Sequence, residues 1–255
     1  MEFHVIIPAR FAATRLPGKV LLEINGKPMI QHVYERAVES GAESIVIATD
    51  DERVKELAEK FGATVCMTNE AHQSGTERVA EVVNLLDYND DDIIVNLQGD
   101  EPFLPASVIK QAAQELDEHD NVKIASLCCV IEDVEELFSS NIAKVILNHR
   151  KQAIYFSRAP IPWERDNFVM GEKTAKKMLG THYRHIGIYA FRASFLQQYI
   201  EMEPCEAEQL ELLEQLRVLW HGGRIQMGIV KQNRIPRGVD TEADLKAIRQ
   251  QFARS

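Results

Sequence analysis

The sequence has little that would bind a polyanion wholesale, cross a membrane or build a disulfide framework. Its 39 acidic residues outnumber its 29 basic ones, giving a net charge of −10. That argues against broad attraction to nucleic acid or to an anionic membrane surface. An anionic ligand must be held by a local basic cluster working against the global field. No apolar run approaches the roughly 20 residues of a membrane-spanning helix. The opening MEFHVIIPAR has no basic stretch followed by a long apolar one, so it does not read as a secretory signal. The four cysteines, Cys66, Cys128, Cys129 and Cys205, form no CxxC pair, which removes zinc-ribbon and thioredoxin-like motifs. Cys128 and Cys129 are adjacent within an apolar run, so on a strand their side chains point to opposite faces. Buried free thiols are expected, in keeping with a reducing cytoplasm. Also missing are GxGxxG, which weakens an oxidoreductase reading, and the phosphate-binding GxxxxGK[ST].

What is present is an ordinary globular balance, 45% hydrophobic and 27% charged over 255 residues, enough for one large α/β domain or a domain with a sizeable subdomain. The first half alternates strand and helix patterns. Strands are expected at His4–Ala9, Ser44–Asp50, Thr64–Met67 and from Asp92 to Asn96. Helices are expected at Pro28–Gly41, Glu52–Phe61 and Thr76–Leu86. On the first of these, Met29, Ile30, Val33, Ala37 and Val38 share a face. Such alternation predicts a mostly parallel sheet covered on both faces, with the loops after the strands along one edge. The second half predicts strands at Lys123–Ile131, Ala143–Leu147, Gln152–Ser157 and His185–Phe191. Its helices are expected at Ala106–His119, Ala193–Met202, Ala207–Trp220 and Thr241–Phe252. The whole reads as one catalytic domain, 1–255, with an inserted region at about 124–190. Ile124–Ile131 is apolar on both strand faces, so both need cover. Leu210, Leu213, Leu216, Val218 and Leu219 read as a buried helix face, which would aim Glu214 and Gln215 elsewhere.

Three segments carry chemistry. After the first strand, Pro8 to Lys19 holds Arg10, Arg15 and Lys19, with backbone freedom at Gly18. Guanidinium forks match phosphate oxygens and a lysine adds a compact charge, so this loop suits a triphosphate; the plain alternative is a solvated basic loop. Next, Asn96-Leu97-Gln98-Gly99-Asp100-Glu101-Pro102 puts a carboxylate just past a strand end. That suits a hard cation such as magnesium, or is an ordinary Gly-Asp turn. Last, in Gly238-Val239-Asp240-Thr241, Asp240 is either a second metal carboxylate or the cap of the helix that follows, with Asp244 in its first turn. His182 and His185 lack a nearby third ligand for zinc.

Together with GKPMIQHVYERA, IATDDERV, SGTERVAE, YFSRAPIPW, RHIGIYAFR and LELLEQLRVL, these segments resemble the 3-deoxy-manno-octulosonate (Kdo) cytidylyltransferases, within the sugar nucleotidyltransferase superfamily. The likeness covers nearly the whole chain. YFSRAPIP, HIGIYAFR and LEQLR point to Kdo rather than to a hexose phosphate. The resemblance implies a Rossmann-like nucleotide-diphospho-sugar transferase fold with an inserted dimerisation region, and transfer of CMP from CTP to Kdo for lipopolysaccharide synthesis. It implies that Ala9, Arg10, Arg15 and Lys19 bind the CTP phosphates. Ser74, Gly75 and Thr76, with Arg78 nearby, would line the cytosine–ribose pocket. Gln98 would touch nucleotide and sugar. Asp100 and Asp240 would hold Mg2+ and, with Lys19, carry catalysis. Arg158 would meet the Kdo carboxylate, and His185, Tyr189, Glu214 and Gln215 its hydroxyls. A homodimer is also implied. The chain departs from the family's pattern at Ala13, at Val20 and in the turn Asn148-His149-Arg150-Lys151-Gln152, where Asp-Gly is usual.

Overall fold

In the first strand, β1 (His4–Pro8), Val5, Ile6 and Ile7 are all fully buried. Successive strand residues face opposite ways, so both faces of β1 are covered. The computed structural model describes residues 1–12, 16–169, 177–231, 235–236, 238–239 and 241–252. After β1 a 3-10 turn (Lys19–Leu21) leads into a small antiparallel pair, β2 (Glu23–Ile24) and β3 (Lys27–Pro28). Then come α1 (Met29–Glu39), β4 (Ser44–Thr49), α2 (Glu52–Lys60), β5 (Thr64–Met67), α3 (Gly75–Leu85), β6 (Ile93–Asn96) and α4 (Ala106–Asp117). The chain continues through β7 (Ile124–Val130), α5 (Val134–Phe138), β8 (Lys144–Leu147), β9 (Ala153–Ser157), β10 (Tyr183–Arg192) and α6 (Ala193–Glu201). It ends with α7 (Glu206–Glu211), α8 (Gln215–Trp220), β11 (Ile225–Ile229) and α9 (Glu242–Phe252). No described helix is long and apolar enough to cross a membrane.

Two compact units result. The first holds Met1–Gln114, Ile188–Ile200 and Pro236–Ser255; the second holds Glu115–Gly187 and Glu201–Ile235.

In the first unit, β1 pairs in parallel with β4 on one side and β6 on the other, and β4 pairs with β5. The C-terminal half of β10 runs antiparallel along β6, with Tyr189 opposite Asn96. The chain therefore steps outward from β1 to β5, then returns to the other side of β1. At such a reversal the strands' carboxyl ends leave a crevice for ligand. The segments leaving those ends, after β1 and β6, are the basic loop and Leu97–Pro102. Helix α1 buries Met29, Ile30, Val33 and Ala37 as expected, but Val38 is 52% exposed. One residue past Ala37 is about 100° further round the helix, outside the apolar stripe.

In the second unit, β11 lies parallel to β7, β8 and β9 form a hairpin, and the N-terminal half of β10 pairs with β8. All four cysteines are free and buried; burial pushes the Cys128 thiol up to about 12. Ile124, Ala125, Ser126, Leu127, Cys128 and Cys129 are no more than 2% exposed within the single chain. Both faces of β7, which the sequence showed to need cover, thus have it within the single chain.

The predicted helix Ala207–Trp220 is two helices, broken at Leu212, whose φ of 52° is left-handed. The cause is tertiary. The Arg158 guanidinium draws the carbonyls of Glu211 (2.6 Å) and Leu212 (3.3 Å), oxygens that a continuous helix would spend internally. Leu210 is consequently 77% exposed, and only Leu213, Leu216 and Val218 of the expected face are buried. Gln215 sits on that buried face, 4% exposed, rather than away from it; Glu214 is exposed.

The unusual hairpin turn is sound. Asn148 Oδ1 accepts the N–H groups of Arg150 (2.8 Å) and Gln152 (2.9 Å), and Lys151 takes a left-handed φ of 58°. An asparagine side chain thereby does the work of an Asx turn.

Candidate active site

Beyond the carboxyl ends of β1 and β6, Lys19 Nζ lies 2.5 Å from Asp100 Oδ2 and 3.2 Å from the carbonyl of Val239. Lysine reaches this point because Gly18, at φ 68°, turns the loop back on itself. Gly18 N–H donates to the Phe11 carbonyl at 2.8 Å. A Cβ on Gly18 would stand 2.8 Å from the Phe11 ring, so only glycine closes this turn without displacing that side chain. The Arg53 guanidinium covers the Phe11 ring at 3.5 Å, which braces the loop from outside. Arg10 is exposed at its start. Ala9 is buried, with its N–H on Ala48 and its carbonyl on Thr49 Oγ1. Arg15 lies outside the described residues.

Asp100 is held from behind. Its carbonyl accepts Val239 N–H at 2.8 Å. A Cβ on Gly99 would stand 2.9 Å from the Pro8 carbonyl, and one on Gly238 would stand 3.1 Å from Asp100's own carbonyl. These glycines let three backbone segments close on one carboxylate. Asp240 lies outside the described residues. The reciprocal cap of α9 is made by its neighbours: Asp244 N–H donates to Thr241 Oγ1, and Thr241 N–H and Oγ1 donate to Asp244 Oδ2.

Beside this, Ser74 caps α3, accepting Glu77 N–H at 3.1 Å. Gly75 faces Pro8 and Gln98: a Cβ there would meet Pro8 Cγ at 3.2 Å and Gln98 Oε1 at 3.4 Å. Thr76 is buried, and Arg78, 2% exposed, spends its guanidinium on Asp50 (2.7 Å) and Thr68. Arg78 thus braces the strand ends under the α3 N-terminus. Gln98 donates to Asn96 Oδ1 at 3.3 Å, while Asn96 Nδ2 is buried with no partner among the described residues. Leaving such a donor unmet costs about 1–3 kcal/mol. Tyr189 is half-buried and stacks on Phe191 at 5.8 Å.

The second unit carries the remaining expected residues. Arg158 follows β9; its Nε, Nη1 and Nη2 donate to the carbonyls of Glu211, Ser140 and Leu212. That takes three of five N–H bonds and leaves a half-buried guanidinium with donors to spare. Its own N–H goes to Glu211 Oε2 at 2.8 Å, and Ser157 Oγ donates to Glu211 Oε1 at 2.6 Å. Burial pushes the His185 imidazole down to about 3, so the ring is neutral at ordinary pH. Ser126 Oγ donates to the Ile186 carbonyl at 3.3 Å and stands 2.9 Å from His185 Nε2. Gln215 Nε2 is buried without a partner among the described residues.

A cytidylyltransferase family model matches residues 4–227. A 3-deoxy-manno-octulosonate cytidylyltransferase of Coxiella burnetii (strain RSA 493 / Nine Mile phase I) is 59% identical over 252 residues, covering 99% of this chain and 100% of its own. The enzyme of that name from Pasteurella multocida (strain Pm70) is 54% identical, covering 97% of each chain. The chain belongs to the 3-deoxy-manno-octulosonate cytidylyltransferase family. Its fold matches a solved CMP:2-keto-3-deoxy-manno-octonic acid synthetase complexed with CTP, at TM-score 0.88 and 38% identity, over 100% of this chain and 99% of that one. A cytidylyltransferase from Leptospira borgpetersenii, 15% identical at TM-score 0.65, shares the fold alone, covering 100% of this chain and 88% of its own.

For a family member that would use magnesium, the donor chemistry fits. Among the described residues no three His, Cys, Asp or Glu side chains group as a metal cage. Magnesium beside a nucleotide needs none, since it takes one or two carboxylates and completes its shell with phosphate oxygens and water. Asp100 offers a hard oxygen donor on a side chain 27% exposed. Sequence reading missed Asn96 and Glu211. A polar residue ending the buried run Ile93–Asn96 was the available signal for the first; nothing in the sequence ties Glu211 to Arg158.

Proposed function

We propose that this chain transfers CMP from CTP to Kdo, releasing pyrophosphate, in the cytoplasm and for lipopolysaccharide synthesis. The observation that carries this reading is the Lys19–Asp100 pair beyond the ends of β1 and β6, in a chain whose family is named for the reaction.

In this reading Arg10, Arg15 and Lys19 bind the triphosphate, and their charge stabilises the pyrophosphate as it leaves. Ser74, Gly75, Thr76 and Gln98 line the nucleoside pocket, with the Asn96 amide as a further donor and Arg78 as its brace. Asp100 and Asp240 would hold magnesium, which when bound supplies Lewis-acid neutralisation of phosphate charge. Arg158 takes the Kdo carboxylate with its remaining N–H groups. Gln215 Nε2 donates to a sugar hydroxyl, and His185, Tyr189 and Glu214 contact the others. The C2 hydroxyl of Kdo then attacks the α-phosphorus in line with the leaving pyrophosphate. No side chain serves as nucleophile. Both units are parts of one nucleotidyltransferase domain, which works as a homodimer.

Pyrophosphate release with CTP, Kdo and magnesium, omitting each in turn, tests the reading. Release is expected only with all three. Turnover with sialate, an 8-amino Kdo analogue or methylerythritol phosphate in preference to Kdo would overturn the substrate assignment. Tight CTP binding without release would make the protein a nucleotide-binding regulator.

A further inference from the structure

Lys144 opens β8 and is fully buried. A buried ammonium needs its three N–H bonds met. Here Nζ donates to the carbonyls of Ser139 (2.9 Å), Ile142 (2.7 Å) and Arg158 (2.5 Å). No carboxylate touches it among the described residues; three backbone dipoles solvate the charge. Two of those carbonyls flank Ser140, whose own carbonyl accepts Arg158 Nη1 at 3.1 Å. The third belongs to Arg158. One cation thus ties the main chain of Arg158 and the loop on which its guanidinium rests.

We propose that Lys144 is a positioning residue for the sugar acid: its buried ammonium sets the place of the Arg158 guanidinium and through it the affinity for Kdo. This rests on the reading of Arg158 as the partner of the Kdo carboxylate. Lys144 touches no substrate in this scheme. The strand pairing of β8 with β9 sets the coarse register, with Lys144 opposite Ser157. The three carbonyl bonds set the last fraction of an ångström, on which a bidentate contact depends.

The arrangement also carries a pH signature. Burial, then the nearby Arg158 charge, lower Lys144 from 10.5 to about 8, opposed by Glu211 and Glu136. A folded pKa below the ordinary one means that the buried cation costs stability below pH 8, and that this cost is relieved as pH rises toward 10.5. Deprotonation leaves two N–H donors for three carbonyls. Above about pH 8 the cage loosens, while this group makes no contribution to a fall in stability.

The test is steady-state kinetics of the full chain with CTP, Kdo and magnesium, with thermal melts alongside. Lys144→Met is expected to raise the Kdo KM roughly ten- to a hundred-fold, the scale of a misplaced binding group, with the CTP KM unchanged. In an Arg158→Ala background the same substitution is expected to do nothing further to the Kdo KM. Should Lys144→Met not fold, Lys144→Gln, which keeps two donors, and the untouched protein decide. In the latter the Kdo KM should rise with an apparent pKa near 8, while the CTP KM stays flat and the melting temperature does not follow. Equal losses for both substrates, additive effects of Lys144 and Arg158, or a Kdo KM flat from pH 7 to 9 would overturn the proposal. An Arg158→Ala variant with normal Kdo KM would instead remove the Arg158 assignment itself.

Discussion

Asp100 and Arg158 differ in what they already touch, and their substitutions should differ in kind. Asp100 holds Lys19, at the end of the basic loop after β1, at 2.5 Å. Asp100→Asn keeps the shape and removes the charge, so the organisation of attack should suffer more than nucleotide binding. We expect kcat to fall on the order of 10²–10³, the size of losing one strong electrostatic group, with CTP affinity changed far less. Isothermal titration of CTP beside pyrophosphate release checks this, and near-normal turnover at saturating magnesium would refute it. Arg158 has three N–H bonds on carbonyls, so it is pre-positioned but only partly committed. Arg158→Ala should cost about 1.5–3 kcal/mol of Kdo binding, the worth of a charged hydrogen bond, read as a raised Kdo KM at constant CTP KM. Collapse of CTP affinity with Kdo binding intact would move Arg158 to the nucleotide site.

At the scale of elements, two polar side chains replace regular structure. Asn148 closes the β8–β9 turn through two N–H bonds to its Oδ1. Asn148→Ala should lower stability by about 1–2 kcal/mol, whereas Asn148→Asp, which keeps the acceptor, should be nearly neutral; urea denaturation compares them. Glu164 gathers the segment before β10. Burial pushes its carboxyl up, but His182, the N–H groups of Gly180 and Leu179, and the Asn167 amide outweigh that and hold it at about 2. Its folded pKa lies below the usual 4.5, so its stabilisation is full above pH 4.5 and is lost as pH falls toward 2. The melting temperature should therefore drop more steeply between pH 5 and 3 in the native protein than in Glu164→Gln; parallel slopes would count against it. The elements that sequence made legible were those with local signals, such as Thr64–Met67, where strand bounds agree to the residue. The break at Leu212 and the brief strand Ile225–Ile229 were not. One depends on Arg158, over fifty residues away, and the other on pairing with β7. The buried cations Arg78 and Lys144 were hidden for the same reason: sequence shows a charge, not the carbonyls and carboxylate folded round it. The positions of the basic loop and of Asp100 just past strand ends were legible because strand boundaries and the turns after them are local signals.

At the scale of the whole molecule, the family resemblance implies a dimer, and burial now says where its surface should and should not lie. Leu127 is fully covered within one chain, so Leu127→Glu should unfold the subunit rather than dissociate it. The apolar side chains that do meet solvent in the second unit include Ile154 (57% exposed) and Tyr155 (39%) on β9, Leu210 (77%) in α7 and Leu212 (76%) just after it. Ser157, at the end of β9, donates to Glu211 Oε1 of α7 at 2.6 Å, so strand and helix expose apolar groups in one neighbourhood. Ile154 and Tyr155 are adjacent on a strand and point to opposite sides, so that strand's exposure is not confined to one face. An exposed apolar strand invites pairing unless it is covered, and a symmetric partner can cover it with the same strand of its own. Sedimentation at micromolar concentration should then show a species of about twice 29.0 kDa. Ile154→Glu should convert it to a folded monomer with native circular dichroism, its melting temperature lowered only by the loss of association, because that side chain contributes little to the subunit's own core. A native species of 29.0 kDa would refute the dimer, and a dimer indifferent to Ile154→Glu would place its interface elsewhere on the surface.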